Sequence, residues 1–182
     1  MTLRSLISII ILILLFIQLS ALEKAPDFKL ENMEGKQVKL SDFLEKGLVI
    51  LDFWATWCEP CKKELTALNV LQEKYGDTIT VIAVSVDKAR KKNKAKAFIK
   101  SRKYRFVTLF DVKSDVKKLY NITNIPRTLV ITPESEILFD HMGYKRGDEK
   151  HIEEIIKKWI KDKPVKIGEE IPENESQGEI NE

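Results

Sequence analysis

Apolar residues run almost unbroken from Leu6 to Leu22, and from Ala25 the chain changes to a mixture of shorter periods. "APDFKLENMEGKQVKLSDF" alternates hydrophobic and polar residues on either side of Glu34-Gly35, which predicts a short β-hairpin. "LVILDFW" (48–54) is too continuously apolar for an edge and predicts a central buried strand. In "CEPCKKELTALNVLQEKYG", Leu65, Leu68 and Leu71 recur at helical spacing and Gly76 is a stop, so a helix closes a β-α unit. "TITVIAVSVD" (78–87), rich in β-branched residues, is the next strand, followed by a basic helix over "KARKKNKAKAFIKSRKYR" and a strand at "FVTLFD". "SDVKKLYN" predicts a short helix capped by Ser114 or Asp115. "RTLVIT" and "EILFDHMG" flank Pro133-Glu134-Ser135 as a second hairpin. "GDEKHIEEIIKKWIKD" closes with an amphipathic helix capped near Asp148, with Trp159 on its buried stripe. The alternation predicts an α/β fold: a central mixed β-sheet flanked by helices on both faces, with an N-terminal β-hairpin.

The domain so defined occupies residues 23–163. Residues 164–182, "PVKIGEEIPENESQGEINE", have no aromatic residue and no periodicity, and are expected to form a disordered acidic tail. Residues 1–22 carry Arg4 ahead of the apolar stretch, the arrangement of an export signal. At roughly 17 residues the stretch exceeds the ~7–15 of a cleaved signal core and approaches the ~20 of a membrane span, so it is either a signal peptide or a signal anchor. Ser20 and Ala21 offer a cleavage site, but Leu19 fits the −3 position poorly, which favours retention. The domain is therefore expected in an oxidising, extracytoplasmic space, tethered to the membrane through this segment or released if it is cleaved.

The 31 basic and 28 acidic side chains leave a formal charge of only +3, so no global field selects nucleic acid or an acidic substrate. Between Lys88 and Arg105 the chain is locally basic, yet alanines and Phe98-Ile99 interleave the charges, as on a surface helix with one solvated face. Contact with anionic lipid is the alternative for that run.

Candidate chemistry is concentrated in "FWATWCEPCKKE" (53–64), where Cys58 and Cys61 are the only two cysteines of the chain. A zinc site needs further ligands; a copper site would have to recruit a distant histidine such as His141. A structural bridge across so short a loop would constrain the unfolded chain very little. A peroxidase on this kind of fold would want a lone cysteine with a hydroxyl residue three positions earlier, where Ala55 stands. The spacing favours electron transfer between dithiol and disulfide. At the start of a helix, Cys58 meets unpaired backbone N–H groups and the positive end of the macrodipole, which stabilise a thiolate. Cys58 is thus the expected nucleophile, and Cys61, almost one turn on, the resolving thiol. Pro60 lies in the first turn, where its missing N–H costs nothing. Asp52 stands in the middle of an otherwise apolar strand; an unpaired carboxylate there is costly, so a raised pKa and a role as proton acceptor for Cys61 are expected.

In their order, "APDF", the hairpin, "LDFWATWCEPCKKE", "ITNIPRTLVIT" and "EILFDHMGY" resemble the thioredoxin-fold thiol–disulfide oxidoreductases of the membrane-tethered ResA/TlpA type, over nearly all of residues 25–162. The resemblance implies a thioredoxin-like fold and matches Pro126 to a cis-proline whose loop faces the sulfurs. There the backbone of Ile125 would pair with an extended substrate segment. It matches Glu64 to an acidic residue lining the substrate cavity, and Asp52 to the aspartate of thioredoxin itself, where ResA/TlpA-like proteins often have asparagine. Arg127 stands where the family usually has threonine, and its charge is expected to favour the Cys58 thiolate. Trp54 and Trp57 are expected to pack the strand and to rim the cysteine pocket. His141 and His151 have no neighbouring serine or further cysteine and read as incidental.

The expected function is reduction of disulfides in client proteins by exchange at Cys58 and Cys61, without an organic cofactor. The resemblance points to apocytochrome c as client and to a membrane thiol-carrier reductase as electron donor; no nucleic acid is expected as a partner. Two alternatives stand beside it: a general disulfide oxidant, and a copper chaperone using Cys58, Cys61 and His141. Glu59, between the cysteines, puts negative charge near the thiolate and argues for a reductant.

Overall fold

The computed structural model describes residues 22–162. The leader expected over 1–22, Leu22 excepted, and the tail at 164–182 lie outside the described residues. Among the described residues, no helix is long and apolar enough to cross a membrane.

The chain enters through β1 (Lys29–Asn32) and β2 (Gln37–Lys39), an antiparallel hairpin, and a single turn of helix, α1 (Ser41–Leu44). β3 (Leu48–Trp54) leads into α2 (Glu59–Tyr75), then β4 (Ile79–Ser85), α3 (Lys92–Arg102), β5 (Val107–Phe110) and α4 (Asp115–Leu119). β6 (Arg127–Ile131), β7 (Ile137–Met142) and α5 (Asp148–Asp162) complete the fold. The seven strands form one mixed sheet in the order β2-β1-β5-β4-β3-β6-β7, parallel across β3, β4 and β5 and antiparallel elsewhere.

β3 is buried at all seven positions, as its apolar run requires of a strand flanked by β4 and β6. Its pleat divides the core. Val49, Leu51 and Phe53 join Leu40 and Leu44 of the α1 side with Val116 and Tyr120 of the α4 side. Leu48, Ile50 and Trp54 point the other way, towards Leu65 and Leu68 of α2, Ile99 of α3 and Ile152 and Ile156 of α5. By the same alternation Asp52 falls between Ile50 and Trp54, on the face covered by α2.

Two local expectations change. The basic run opens with a short 3₁₀ turn, Ala89–Lys91, before α3 begins, and α3 ends at Lys103 in the left-handed region (φ 56). α4 is capped by neither Ser114 nor Asp115. Ser114 adopts φ 63 and its side chain makes no capping bond, while the Asp111 carboxylate accepts from the backbone N–H groups of Asp115 (2.9 Å) and Lys117 (2.7 Å). A carboxylate from the end of the preceding strand thus does what a local cap would have done.

Candidate active site

β3 ends at Trp54 and the chain turns through Ala55-Thr56-Trp57 into α2. The turn is pinned from β4: Thr56 donates its N–H to Asp87 Oδ2 (2.8 Å) and its hydroxyl to Asp87 Oδ1 (2.9 Å), while Ser85 donates to the same carboxylate (3.2 Å). Cys58 then takes the N-cap position with extended backbone (φ −93, ψ 102), and its Sγ accepts from the Cys61 N–H at 3.3 Å. The sulfur therefore sits among the unpaired N–H groups at the head of a helix of 17 residues. Cys58 and Cys61 are joined as a disulfide with Cα atoms 5.3 Å apart. Cys58 keeps 5% exposure and Cys61 none, the asymmetry expected of an attacking and a resolving sulfur.

Behind the cysteines lie two buried carboxyl groups. Asp52 has no exposure and stands opposite Thr128 in the β3–β6 register; Glu64, on α2, is 2% exposed. Thr128 Oγ1 reaches Glu64 Oε1 at 2.6 Å and Asp52 Oδ1 at 3.4 Å, so one hydroxyl links both acids. A hydroxyl carries one hydrogen and cannot donate to both. Asp52 Oδ2 and Glu64 Oε2 have no hydrogen-bond partner among the described residues. Burial pushes the Asp52 carboxyl well above its ordinary range, the charge of Glu64 adds to this, and the Thr128 bond only partly opposes it. Glu64 is pushed up to about 7, chiefly by burial and further by Asp148 and Glu149 at the head of α5, against the lowering effect of Thr128. Glu64 is thus buried rather than a solvated helix residue, and Asp52 is no surface aspartate at a strand end.

β6 runs antiparallel to β3, so its N-terminal end lies at the edge of the sheet where β3 delivers Cys58. Immediately before β6 the Ile125–Pro126 bond is cis, and Ile125 packs against the cluster that contains both cysteines. Pro126 is buried and its carbonyl accepts from the Gly143 N–H (2.8 Å). Trp57 projects from the turn with 61% of its surface exposed, while Trp54 is fully buried.

Two expectations meet different surroundings. Arg127 does not stand as a bare charge beside the sulfur: Nε and Nη2 bond the two oxygens of Asp140 on β7 at 2.6 and 2.5 Å, which neutralises it in a fork-to-fork pair. His141 does not join the cysteines. Its Nε2 lies 3.5 Å from Asp148 Oδ2 and its ring stacks on Phe139, and no three His, Cys, Asp or Glu side chains among the described residues come together as metal ligands. Sequence reading missed Thr128, the link between the carboxyls, and Asp87, the anchor of the Thr56 turn. A buried-strand pattern ending in aspartate, "VSVD", was the available signal for Asp87; nothing local marked Thr128.

The AhpC/TSA family model matches residues 21–139. ResA, a thiol–disulfide oxidoreductase of Bacillus thuringiensis subsp. konkukian, is 31% identical over 137 residues, 75% of this chain and 76% of that one. The thioredoxin-like protein YneN of Bacillus subtilis is 36% identical over 122 residues, 66% of this chain and 71% of its own length. Among solved structures, a Chlorobium tepidum protein assigned as the thiol:disulfide interchange protein DsbE superposes with a TM-score of 0.70 at 34% identity, covering 78% of this chain and 99% of that one. A redox pair at the head of α2, on a thioredoxin-like sheet, agrees with these relatives in residue and place, and the chain belongs to the AhpC/TSA family as a thiol–disulfide oxidoreductase of the ResA/DsbE type.

Proposed function

We propose that the enzyme works as a reductant of client-protein disulfides outside the cytoplasm. The observation that carries this reading is the Cys58–Cys61 pair at the head of α2, backed by two buried acids. In the dithiol form the Cys58 thiolate attacks one sulfur of the client disulfide. A bond forms between Cys58 and that sulfur, and the client's other sulfur leaves as a thiolate that takes up a proton. Cys61 then loses its proton to the buried carboxylate behind it and attacks Cys58 Sγ. The Cys58–Cys61 bond forms, the mixed disulfide breaks, and the client's second sulfur departs; two electrons have passed to the client. Glu64, pushed up to about 7, and Asp52, held well above its ordinary range by burial, are suited to take and return that proton through Thr128. The cis Ile125–Pro126 loop offers backbone for an extended client segment, and Trp57 rims the approach.

A negative environment around Cys61 supports the reducing direction, since the two buried acids, where ionised, disfavour a thiolate and hence the reduced form, while Glu59 is paired with Lys62. For the client we take apocytochrome c, whose paired cysteines must stay reduced for haem attachment, and for the electron source a membrane thiol carrier. Residues 1–22 hold the domain at the membrane. The test uses the full chain in the cells that make it. With Cys61→Ser the mixed disulfide at Cys58 cannot resolve, so apocytochrome c should be recovered covalently attached; Cys58→Ser should abolish attachment and lower disulfide reduction at least 100-fold. Asp52→Asn, with both cysteines present, should slow release of the client from its mixed disulfide with Cys58. Recovery of no cysteine-containing client, or undiminished reduction by Cys58→Ser, would overturn the reading.

A further inference from the structure

At the carboxyl ends of the parallel strands, beside the cysteines, lies a groove the exchange chemistry does not use. Two adjoining hollows of about 270 and 540 Å³ form it, sharing Lys88, Ser114 and Lys117. One end is Trp57, the residue before Cys58; the other runs past Asn121 to Thr123, two residues short of the cis Ile125–Pro126 bond. A segment lying in it would reach Trp57, the neighbour of the reactive cysteine.

Its walls carry Lys88, Arg90, Lys91, Lys117 and Lys118. Among the described residues none of these five forms an ion pair, whereas Lys92, Lys74 and Arg127 elsewhere are matched to Glu31, Glu153 and Asp140. Lys88 Nζ bonds the Ser114 hydroxyl at 2.9 Å, which ties the β4–α3 connection to the head of α4 without cancelling its charge. Asp87, the carboxylate among the lining residues, is 2% exposed and turned inward to Thr56 and Ser85. The small net charge of the whole chain conceals this concentration, because the compensating acids lie elsewhere.

We propose that this groove docks an acidic segment of the client, next to the client's disulfide. The inference rests on Cys58 being the exchange centre and names the class of client that centre prefers. Unmatched cations along a recess focus their field at its mouth and raise the rate of encounter with carboxylates. Concavity favours an extended chain over a flat bilayer as the occupant. The effect is confined to about a Debye length, ~10 Å at 0.1 M salt, so it acts on residues flanking the disulfide.

Three disulfide-bridged peptides of one sequence, flanked by glutamates, by serines or by lysines, provide the test with the pre-reduced full chain. The expected order of second-order rate constants is glutamate, serine, lysine, with at least tenfold between the extremes at low salt and a narrower spread at 0.5 M. Lys88→Ser combined with Lys117→Ser should bring the glutamate-to-serine ratio towards one. Reduction of all three peptides at equal rates overturns the groove while leaving the exchange centre standing; failure to reduce any of them removes the exchange reading and the groove with it. Sedimentation with phosphatidylglycerol vesicles that is lost in the double variant, together with indifference to peptide charge, would give the groove to lipid and overturn the proposal.

Discussion

Thr128 joins the two buried acids, because its single hydroxyl hydrogen is offered to two carboxyl groups that are almost fully buried. With the hydrogen given to Glu64 at 2.6 Å, Asp52 at 3.4 Å is left with the weaker share of it. Burying Glu64 makes the energy of the fold depend on pH. The Glu64 carboxyl is raised from 4.5 to about 7 in the folded protein. Between those values the native state holds a proton that the unfolded state has lost. The contribution of the neutral acid is therefore complete below pH 4.5 and is lost as pH rises through about 7. At ~1.36 kcal/mol per unit the loss is on the order of 3 kcal/mol by pH 8. Glu64→Gln cannot ionise and still accepts from Thr128. Urea unfolding of the oxidised chain should show it gaining on the wild type by that order between pH 5 and pH 8. A difference that stays flat across this range would mean Glu64 ionises as an ordinary surface acid.

At the scale of elements, β3 does the most, since one strand supplies both halves of the core, delivers Cys58 at its end and carries Asp52 within it. Its start depends on Gly47, which has φ +148; a Cβ built there would meet the Thr78 carbonyl oxygen at 2.1 Å. That atom belongs to the backbone leading into β4 and cannot swing aside. Gly47→Ala should therefore cost roughly 2–4 kcal/mol by denaturant unfolding and loosen the β3–β4 register, whereas a cost below ~0.5 kcal/mol would show that the turn has room. The strand itself was legible in the sequence because seven consecutive apolar or buried positions leave few other structures open to it, and the helix after it because its leucines recur at the right period. The cap of α4 was not legible: Ser114 is the residue type that caps, but it is held at positive φ and Asp111 reaches the N–H groups first. Nor were the contacts that complete the site. Thr56 meets Asp87 across 31 positions, Thr128 meets Glu64 across 64, and Arg127 finds Asp140 only through the β6–β7 register. Local pattern fixes period and burial, while a polar pair between elements is decided by packing.

For the whole molecule, the direction of electron flow and the stability of the fold are one quantity seen from two sides. Unfolding the oxidised and the reduced protein closes a cycle with the reduction of folded and unfolded chains. A folded pair harder to reduce than the same pair in an unfolded chain must stabilise the fold when oxidised. The environment here works against the reduced form: Asp52 and Glu64 lie on the face of the sheet to which Cys61 turns, whereas Glu59, directly after Cys58, is paired with Lys62. Against this acts the head of α2, which favours a thiolate at Cys58. If the acids prevail, the oxidised chain should melt several degrees above the reduced one. Each ~30 mV of lowered potential is worth ~1.4 kcal/mol, and at this chain length ~1 kcal/mol moves Tm by about 2–4 °C. The gap should widen from pH 6 to pH 8 as Glu64 ionises beside a forming thiolate. Calorimetry of the two redox forms, with and without excess dithiothreitol, reads this directly. A reduced form that melts at or above the oxidised one would reverse the direction of transfer and make the enzyme a donor of disulfides.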